Sequence, residues 1–186
     1  LEGKGYEFDP SHRHGPLLTV IAESWCRAKG ETSWEALNER TLREIVAVCG
    51  LMAAFGSLAL GLGWIRALVA ASLAATSPLL VYYSRLFIHE PVFLVFAIPA
   101  LAGAIFFLKG SRLWLGASLF GIGVGLMAAT RETVVISLIA WTVAGVLCLL
   151  RQGELKAITT KLWKPVLLAA GLALALICWF YTEGGK

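Results

Sequence analysis

The sequence predicts an all-α integral membrane protein, a bundle of about six transmembrane helices with an extracytoplasmic first loop. Two observations predict this fold class. The 186 residues are 58% hydrophobic and only 15% charged, whereas soluble domains have about 45–50% apolar and about 25% charged residues. The charges are also clustered, with long uncharged runs between them. A chain of this length cannot bury so many apolar helices beneath a polar shell, and so the runs are expected to contact lipid.

Residues 1–43 are polar and are predicted to be the extracytoplasmic loop, with short helices beside the membrane. Pro16 suits the first position of a helix, and the amphipathic segment Leu17–Trp25 follows it. About nine residues cannot cross a membrane, which needs about 20, so this segment predicts an interfacial helix. A second short helix is predicted from Thr32, where Glu35 would complete a capping box.

Residues 44–182 are predicted to form the transmembrane bundle. Leu113–Leu150 is 38 residues long, and one helix of that length would measure about 57 Å, against a hydrocarbon core of about 30 Å. The segment therefore predicts two spans that turn near Thr130–Thr133. Pro78 predicts a kink in a short second span. The predicted spans are 45–64, 67–83, 92–108, 113–129, 133–150 and 165–181.

Small residues inside these runs are predicted to allow close packing. Cys26, Cys49, Cys148 and Cys178 have no close spacing, so neither a disulfide framework nor a zinc knuckle is indicated. The glycines of the fourth predicted span, one pair of them a GxxxG motif, predict close helix contacts; they are Gly116, Gly121, Gly123 and Gly125.

The distribution of lysine and arginine predicts which linkers face the cytoplasm. Among the linkers between predicted spans, one alternate set carries seven such residues and the other carries two, Arg85 and Arg131. The first loop is not in this count, and the richer set of linkers is expected inside. The first loop, the 85–90 linker and the 131–132 turn are therefore predicted outside a plasma membrane. The net charge of +4 does not indicate a nucleic-acid partner, because the positions of the charges matter more than their sum. The inside set is Arg66, Lys109, Arg112, Arg151, Lys156, Lys161 and Lys164.

Three polar clusters on that predicted outer face are the candidate site. Their carboxylates suit proton transfer, and their cations suit an anionic ligand. The candidate catalytic residues are Glu90 and Asp9. The candidate substrate-binding residues are Arg85, Arg131, His14, His12, His89, Tyr83 and Glu132.

Two structural explanations compete with this interpretation. Arg85 with Glu90, and Arg131 with Glu132, would be salt bridges that only hold helix ends. His12 and His14, with Asp9, are either ligands of a divalent metal or ordinary surface residues.

The motifs, taken in order, resemble a known family. They are His-Gly-Pro-Leu-Leu at 14–18, Leu-Arg at 42–43, Tyr-Tyr-Ser-Arg at 82–85 with Glu90 beyond it, and Ala-Thr-Arg-Glu-Thr at 129–133. This order is similar to that of the GT-C membrane glycosyltransferases related to protein O-mannosyltransferases and aminoarabinose transferases. The closest resemblance is to the branch labelled flippase-activity-associated proteins, over residues 5 to about 133.

The resemblance implies an inverting transfer of a sugar from a polyprenyl-phosphate donor to a glycan or protein acceptor on the outer face. By the same resemblance, Arg85 and Arg131 hold the lipid phosphate, and His14 contacts it. Glu90 orients the acceptor or a divalent metal, and Asp9 lines the pocket. The family's first helix and the carboxylate that serves as general base would precede residue 1. We therefore expect this chain to be a fragment, inactive by itself.

Two other functions fit a polytopic membrane protein. One is a transporter or lipid flippase, although such proteins place polar residues at broken helices near the bilayer midplane. The other is a non-catalytic subunit of a complex that assembles glycans.

Overall fold

The computed structural model describes residues 15–60, 63–152 and 155–182, and these residues are helical apart from short connections. Two 3₁₀ helices, Trp34–Ala36 and Ser57–Leu60, flank the second α-helix. The α-helices within the described ranges are α1 Leu17–Ala28, α2 Glu39–Gly56, α3 Trp64–Thr76, α4 Pro78–Tyr83, α5 Glu90–Leu108, α6 Leu113–Thr130, α7 Val134–Gln152 and α8 Leu155–Thr182.

Five helical segments in the described ranges are long and apolar enough to cross a membrane, which confirms the all-helical membrane class. They are 39–60, 90–108, 113–130, 134–151 and 162–182. Large apolar side chains point outward from several of them, as on α7, where Val135, Ile136 and Ile139 are more than half exposed. An exposed apolar surface of this extent is suited to lipid rather than water. The predicted turn between two spans at 130–133 is also confirmed, because α6 ends at Thr130 and α7 begins at Val134.

The segment predicted as the second span, 67–83, consists of two short helices. α3 and α4 are about 20 Å and about 9 Å long at 1.5 Å per residue. Ser77 separates them in an extended conformation, and its hydroxyl accepts a hydrogen bond from the Leu80 N–H at 3.5 Å. Pro78 has no N–H to continue α3 and instead begins α4. The kink predicted at Pro78 is therefore a complete break between helices.

Two helices begin before the spans that were predicted within them. The first span was placed at 45–64, but α2 begins at Glu39, because Asn38 caps it by accepting a hydrogen bond from the Arg40 N–H at 2.9 Å. The last span was placed at 165–181, but Pro165 lies inside α8, which begins at Leu155. A proline inside a membrane helix is tolerated where neighbouring groups satisfy the freed backbone atoms.

α6 lies at the centre of the bundle, and its glycines allow this, as predicted. A Cβ atom at Gly121 would lie 2.5 Å from the Ala169 carbonyl oxygen of α8, and one at Gly123 would lie 2.6 Å from the Ala100 nitrogen of α5. Real Cβ atoms do not approach so closely, so larger residues would push the helices apart. The packed set of α5, α6 and α8 is the core of the described structure.

α1 covers one end of this core. Leu17 and Leu18 at its start are 4% and 2% exposed, and they pack against Val92 of α5, Ala129 of α6 and Phe180 of α8. This apolar contact orders α1 against the helix ends. The helix predicted from the amphipathic segment is therefore α1, and its apolar side chains are part of the hydrophobic packing of the bundle.

Candidate functional site

Glu90 and Arg131 form an ion pair at the end of the bundle that α1 covers. Glu90 is the first residue of α5, and Arg131 directly follows α6. The Arg131 guanidinium donates a hydrogen bond to the Glu90 carboxylate. Each side chain is 32% exposed, so a ligand can reach both groups. We call this end of the bundle, which contains Gly15, Glu90 and Arg131, the polar end.

Buried neighbours hold the two charged residues in place. Val92, two residues after Glu90, is fully buried, as is Thr130, which precedes Arg131. The Thr130 hydroxyl donates to the Leu126 carbonyl at 2.7 Å. The pair is therefore positioned by the packed ends of two helices, which limits the freedom of its side chains.

The start of the described chain contacts the same place. The Gly15 N–H donates to the Thr130 carbonyl at 3.1 Å. A Cβ atom at position 15 would overlap the Ala129 carbonyl oxygen, so only glycine fits this approach. The first and last motifs of the sequence, at 14–18 and 129–133, thus meet at Gly15 and Thr130. The predicted site residues Asp9, His12 and His14 lie outside the described residues, and their roles stay predictions.

Tyr83 and Glu90 line one cavity at the polar end. It has a volume of about 240 Å³ and lies between the α3–α4 pair and α5. Its other lining residues are mostly apolar: Ala74, Ser77, Leu79, Leu80, Pro91 and Leu94. Glu90 therefore lines a largely apolar space, and its carboxylate accepts a hydrogen bond from the Arg131 guanidinium.

Arg85 lines a different and larger cavity, of about 530 Å³, together with the first turns of α2. In the described part of the chain, Glu90 is paired with Arg131 and forms no ion pair with Arg85. Arg131 likewise pairs with Glu90 in place of Glu132. Both neighbouring pairs considered from the sequence are thus wrong, because the helices bring residues 41 positions apart into contact.

The remaining predicted residues flank the ion pair. His89 precedes α5 and is partly buried, and its carbonyl accepts a hydrogen bond from the Phe93 N–H at 2.9 Å. Glu132 is exposed in the turn between α6 and α7. Their positions put both residues at the polar end, next in sequence to a member of the pair.

Sequence reasoning missed the polar contacts that join α1 to α2. The Glu31 carboxylate accepts from the Thr41 hydroxyl at 2.7 Å and from the Asn38 N–H at 3.3 Å. The Lys29 ammonium lies 3.0 Å from the Glu44 carboxylate. Burial raises the pKa of the Cys26 thiol above its usual value, and the Glu31 charge and hydrogen bond raise it further. The Asn-Glu-Arg run at 38–40 was the sequence signal for the start of α2 at this place, because asparagine favours helix N-caps.

Arg40 and Arg43, which line the larger cavity with Arg85, were also missed as site residues. They lie three positions apart, so they share one side of α2. Two arginines at the start of an apolar span were the sequence signal. Their place beside Arg85 depends on the packing of α2 against α4, which only the fold shows.

A metal site finds no support among residues 15–60, 63–152 and 155–182. No three histidine, cysteine, aspartate or glutamate side chains gather there in an arrangement that would hold an ion. The residues considered as metal ligands from the sequence, Asp9, His12 and His14, are outside those ranges.

Comparisons with family models, with curated proteins and with solved structures found no match to this chain.

Proposed function

We propose that the protein is a GT-C type membrane glycosyltransferase of the plasma membrane, transferring a sugar from a polyprenyl-phosphate donor to an extracytoplasmic glycan or protein acceptor. The observation that carries the proposal is the accessible Glu90–Arg131 ion pair. Two of the motifs behind the resemblance, around 82–90 and 129–133, supply its members, and the motif at 14–18 contacts Thr130 beside it.

The chemistry of the pair suits cleavage of a sugar–phosphate bond. Arg131 offers a guanidinium, whose several N–H donors can hold a phosphate leaving group in a two-pronged contact. In the described structure the Glu90 carboxylate occupies that guanidinium. A donor phosphate would compete for it and release Glu90 to accept a hydrogen bond from the acceptor. In this proposal the ion pair occupies the phosphate site until a donor phosphate displaces Glu90 from Arg131.

The apolar cavity beside Glu90 supports a lipid-linked substrate. Its lining of aliphatic residues from α3, α4 and α5 would favour an apolar group next to the carboxylate. A polyprenyl chain entering from the bilayer has this character, while its phosphate would remain near Arg131.

A transporter or flippase remains the second candidate, and one observation favours it. α3 and α4 form a discontinuous helix pair with Ser77 and Pro78 at the break, and transporters use such breaks to build binding sites. The cavity at this break reaches Glu90, at the end of the bundle. A site in mid-membrane is therefore less well supported than a site at the membrane surface.

The test is sugar transfer by protein in membranes that contain its native acceptor. A panel of undecaprenyl-phosphate sugars is supplied, and release of undecaprenyl phosphate is followed by mass spectrometry. We expect Arg131→Gln and Glu90→Gln each to lower turnover by about 10²-fold or more, with membrane insertion unchanged. Arg27→Gln is the control, because Arg27 pairs with Glu23 on α1.

Three outcomes separate the functions. Loss of turnover in both variants, with a normal control, supports the glycosyltransferase. Unchanged turnover in both variants excludes it. If no donor is consumed but labelled lipid crosses the bilayer, and this movement needs Glu90, the flippase takes its place.

A further inference from the structure

Positive charge gathers at the end of the bundle opposite the polar end. In residues 15–60, 63–152 and 155–182, every carboxylate side chain lies in α1, in the first two turns of α2, at the start of α5, or in the α1–α2 and α6–α7 connections. All of these places belong to the polar-end side, and no ion pair of the described ranges includes a cation of the opposite end. We call that opposite end the basic end. Its exposed cations are Arg66, Lys109, Arg112, Arg151 and Lys164.

Exposed tryptophans lie at the same end as these cations. α6 and α8 run side by side towards the polar end, where both contact the start of α1, and Gly121 of α6 approaches Ala169 of α8. About two turns before this contact, each helix carries a tryptophan, Trp114 on α6 and Trp163 on α8. α3 begins at the same end with Trp64, because α2 before it runs away from the polar end. All three indole side chains are more than half exposed.

Each of these tryptophans has a cation beside it in the sequence. The pairs are Trp64 with Arg66, Trp114 with Arg112, and Trp163 with Lys164. In the third pair, the Lys164 ammonium lies 5.3 Å from the centre of the Trp163 ring, within the range of a cation–π contact. Tryptophan favours the headgroup level of a bilayer, and lysine and arginine at that level are attracted to anionic lipid. The two residue types together favour a lipid surface that carries negative charge.

The length of α8 puts the third pair at the depth of the headgroups. Its 28 residues measure about 42 Å at 1.5 Å per residue, which exceeds a hydrocarbon core of about 30 Å. The part of α8 that is apolar enough to cross a membrane begins at Leu162. Trp163 and Lys164 are therefore at the start of the crossing segment, where hydrocarbon gives way to headgroups. Trp114 has the same place in α6, whose crossing segment begins at Leu113.

The cations of the basic end surround the bundle. Arg66 is on α3, which packs against α2, whereas Lys164 is on α8, which packs against α6. Lys109 and Arg112 lie in the α5–α6 connection between these two regions. Charges spread in this way suit several small ligands that bind around the bundle, as lipids do, better than one protein that covers a single patch.

We propose that the basic end binds the headgroups of anionic phospholipids in the leaflet that it faces, with Arg112 and Lys164 as the main contacts. The lipid phosphate supplies the negative charge that these cations lack among the described carboxylates, and the indole rings beside them pack at the boundary between headgroup and acyl chain. This binding is independent of the Glu90–Arg131 pair and of sugar transfer. It would hold α6 and α8 at a fixed depth in the membrane.

Fluorescence quenching by brominated lipids tests the two ends of α8 separately. Two single-tryptophan proteins are placed in phosphatidylcholine bilayers, one that keeps Trp163 and one that keeps Trp179, which is half exposed near the polar end. Brominated phosphatidylglycerol and brominated phosphatidylcholine are titrated separately, and the ratio of their quenching constants gives the local preference for the anionic lipid. We expect a preference of about fivefold at Trp163, which corresponds to about 1 kcal/mol for one cation near an anionic surface. At Trp179 we expect a smaller preference.

Charge variants in the Trp163 protein identify the residues that bind the lipid. Lys164→Gln and Arg112→Gln should each lower the preference for phosphatidylglycerol by about half or more, because each removes one cation. Lys164→Arg keeps the charge and should keep the preference. Arg27→Gln is the matched control, since Arg27 carries the same charge on α1 and pairs with Glu23.

Equal quenching by the two lipids at Trp163 overturns the proposal, and so does an unchanged preference in both glutamine variants. An equal preference at Trp163 and Trp179 also rejects the site, because the attraction would then belong to the whole protein. If a single-tryptophan protein does not fold, native mass spectrometry counts both lipids bound to the protein with all its tryptophans. In that measurement, equal lipid ratios for Lys164→Gln and Arg27→Gln reject the proposal.

Discussion

The ion pair between Glu90 and Arg131 is held by its surroundings more than by its own attraction. Each side chain is 32% exposed, and ion pairs that solvent reaches contribute only about 0.2–1 kcal/mol to folding. Thr130 and Val92, fully buried beside the pair, account for its position. Because the pair contributes little to stability, Arg131 can exchange Glu90 for a ligand at little cost to the fold.

Exchanging the two charges tests this interpretation. In the double variant Glu90→Arg/Arg131→Glu the ion pair can form again, so we expect thermal stability within about 1 kcal/mol of the original. Sugar transfer should stay lost, because the cation and the carboxylate have changed places relative to the substrate. Melting temperature and turnover are measured on the same preparation. Recovery of turnover by the exchanged pair would contradict the separate roles given to the two residues.

Cys26 should be an unreactive thiol at neutral pH. It is 1% exposed, and burial together with the Glu31 charge raises its pKa, so little reactive thiolate forms. Alkylation by N-ethylmaleimide is followed against pH in a variant whose other cysteines are replaced. The control is Ser24→Cys with Cys26 also replaced, because Ser24 is on the exposed side of α1. Equal rates at the two positions would show that α1 does not bury Cys26.

The same pKa shift has a consequence for stability. Because the folded-state pKa of Cys26 is raised, both states carry the neutral thiol below the pKa of the unfolded chain, about 8.5. Above that value the thiol ionises in the unfolded state but not yet in the folded state. The free energy of unfolding therefore falls as pH rises from the unfolded-state pKa towards the folded-state pKa.

At the level of helices, the segment that begins α1 is joined to the end of α6 by a backbone hydrogen bond and by apolar packing. The Gly15 N–H donates to the Thr130 carbonyl, while Leu17 and Leu18 pack on the ends of α5, α6 and α8. This contact links the first loop to the residue that precedes Arg131. The position of α1 and the geometry of the ion pair are therefore coupled.

Gly15→Ala should break that coupling. The added Cβ would overlap the Ala129 carbonyl, which is backbone and cannot rotate away, so we expect a loss of about 1–3 kcal/mol in stability together with lower turnover. Thr19→Ala is the control, since Thr19 is exposed on α1. Thermal unfolding in detergent and turnover in membranes are both recorded. Wild-type values for Gly15→Ala would mean that the described contact is not made in the membrane.

Gly121→Ala tests the packing of α6 against α8. Its Cβ would lie 2.5 Å from the Ala169 carbonyl oxygen, so we expect overpacking to cost about 1–3 kcal/mol. Gly171→Ala is the matched control in α8, where a Cβ atom meets nothing within 4 Å, and the intrinsic preference of helices for alanine should make it neutral or stabilising by up to about 1 kcal/mol. Equal melting temperatures for the two variants would contradict the close contact.

At the scale of the whole molecule, polar residues separate between the ends of the bundle. The α5–α6 turn with Lys109 and Arg112 is opposite the polar end, because α5 runs from Glu90 to Leu108 and α6 returns from Leu113 to Thr130. The two ends of this helix pair thus have different charge character. From the positive-inside rule we expect the Lys109 end to face the cytoplasm.

Labelling of single cysteines in intact cells checks that orientation. Glu132→Cys and Lys109→Cys, each exposed, are made in a background without the native cysteines. We expect a membrane-impermeant maleimide to label position 132 from outside and to label position 109 only after the membrane is opened. The reverse pattern would put the polar end in the cytoplasm and remove the basis for an extracytoplasmic transferase.

Some of this architecture could be predicted residue by residue, and some could not. The turn at 130–133 and the contacts of Gly121 and Gly123 follow from local length and residue size, and they were predicted correctly. The start of α2 at Glu39 was missed because the helix continues past its apolar run, held by Asn38. The partner of Glu90 was missed because sequence neighbours suggested Arg85, while helix packing brings in Arg131.

Residue composition and order were sufficient to predict that the chain is helical and apolar enough for a membrane. That property is local, because a segment in lipid must satisfy its own backbone hydrogen bonds and its hydropathy is the sum of its own residues. Which polar residues come together depends on the tertiary structure, as the ion pair of Glu90 with Arg131 shows. Those contacts depend on how the helices approach and end, and contacts such as Gly121 with Ala169 and Gly50 with Ser84 set that approach.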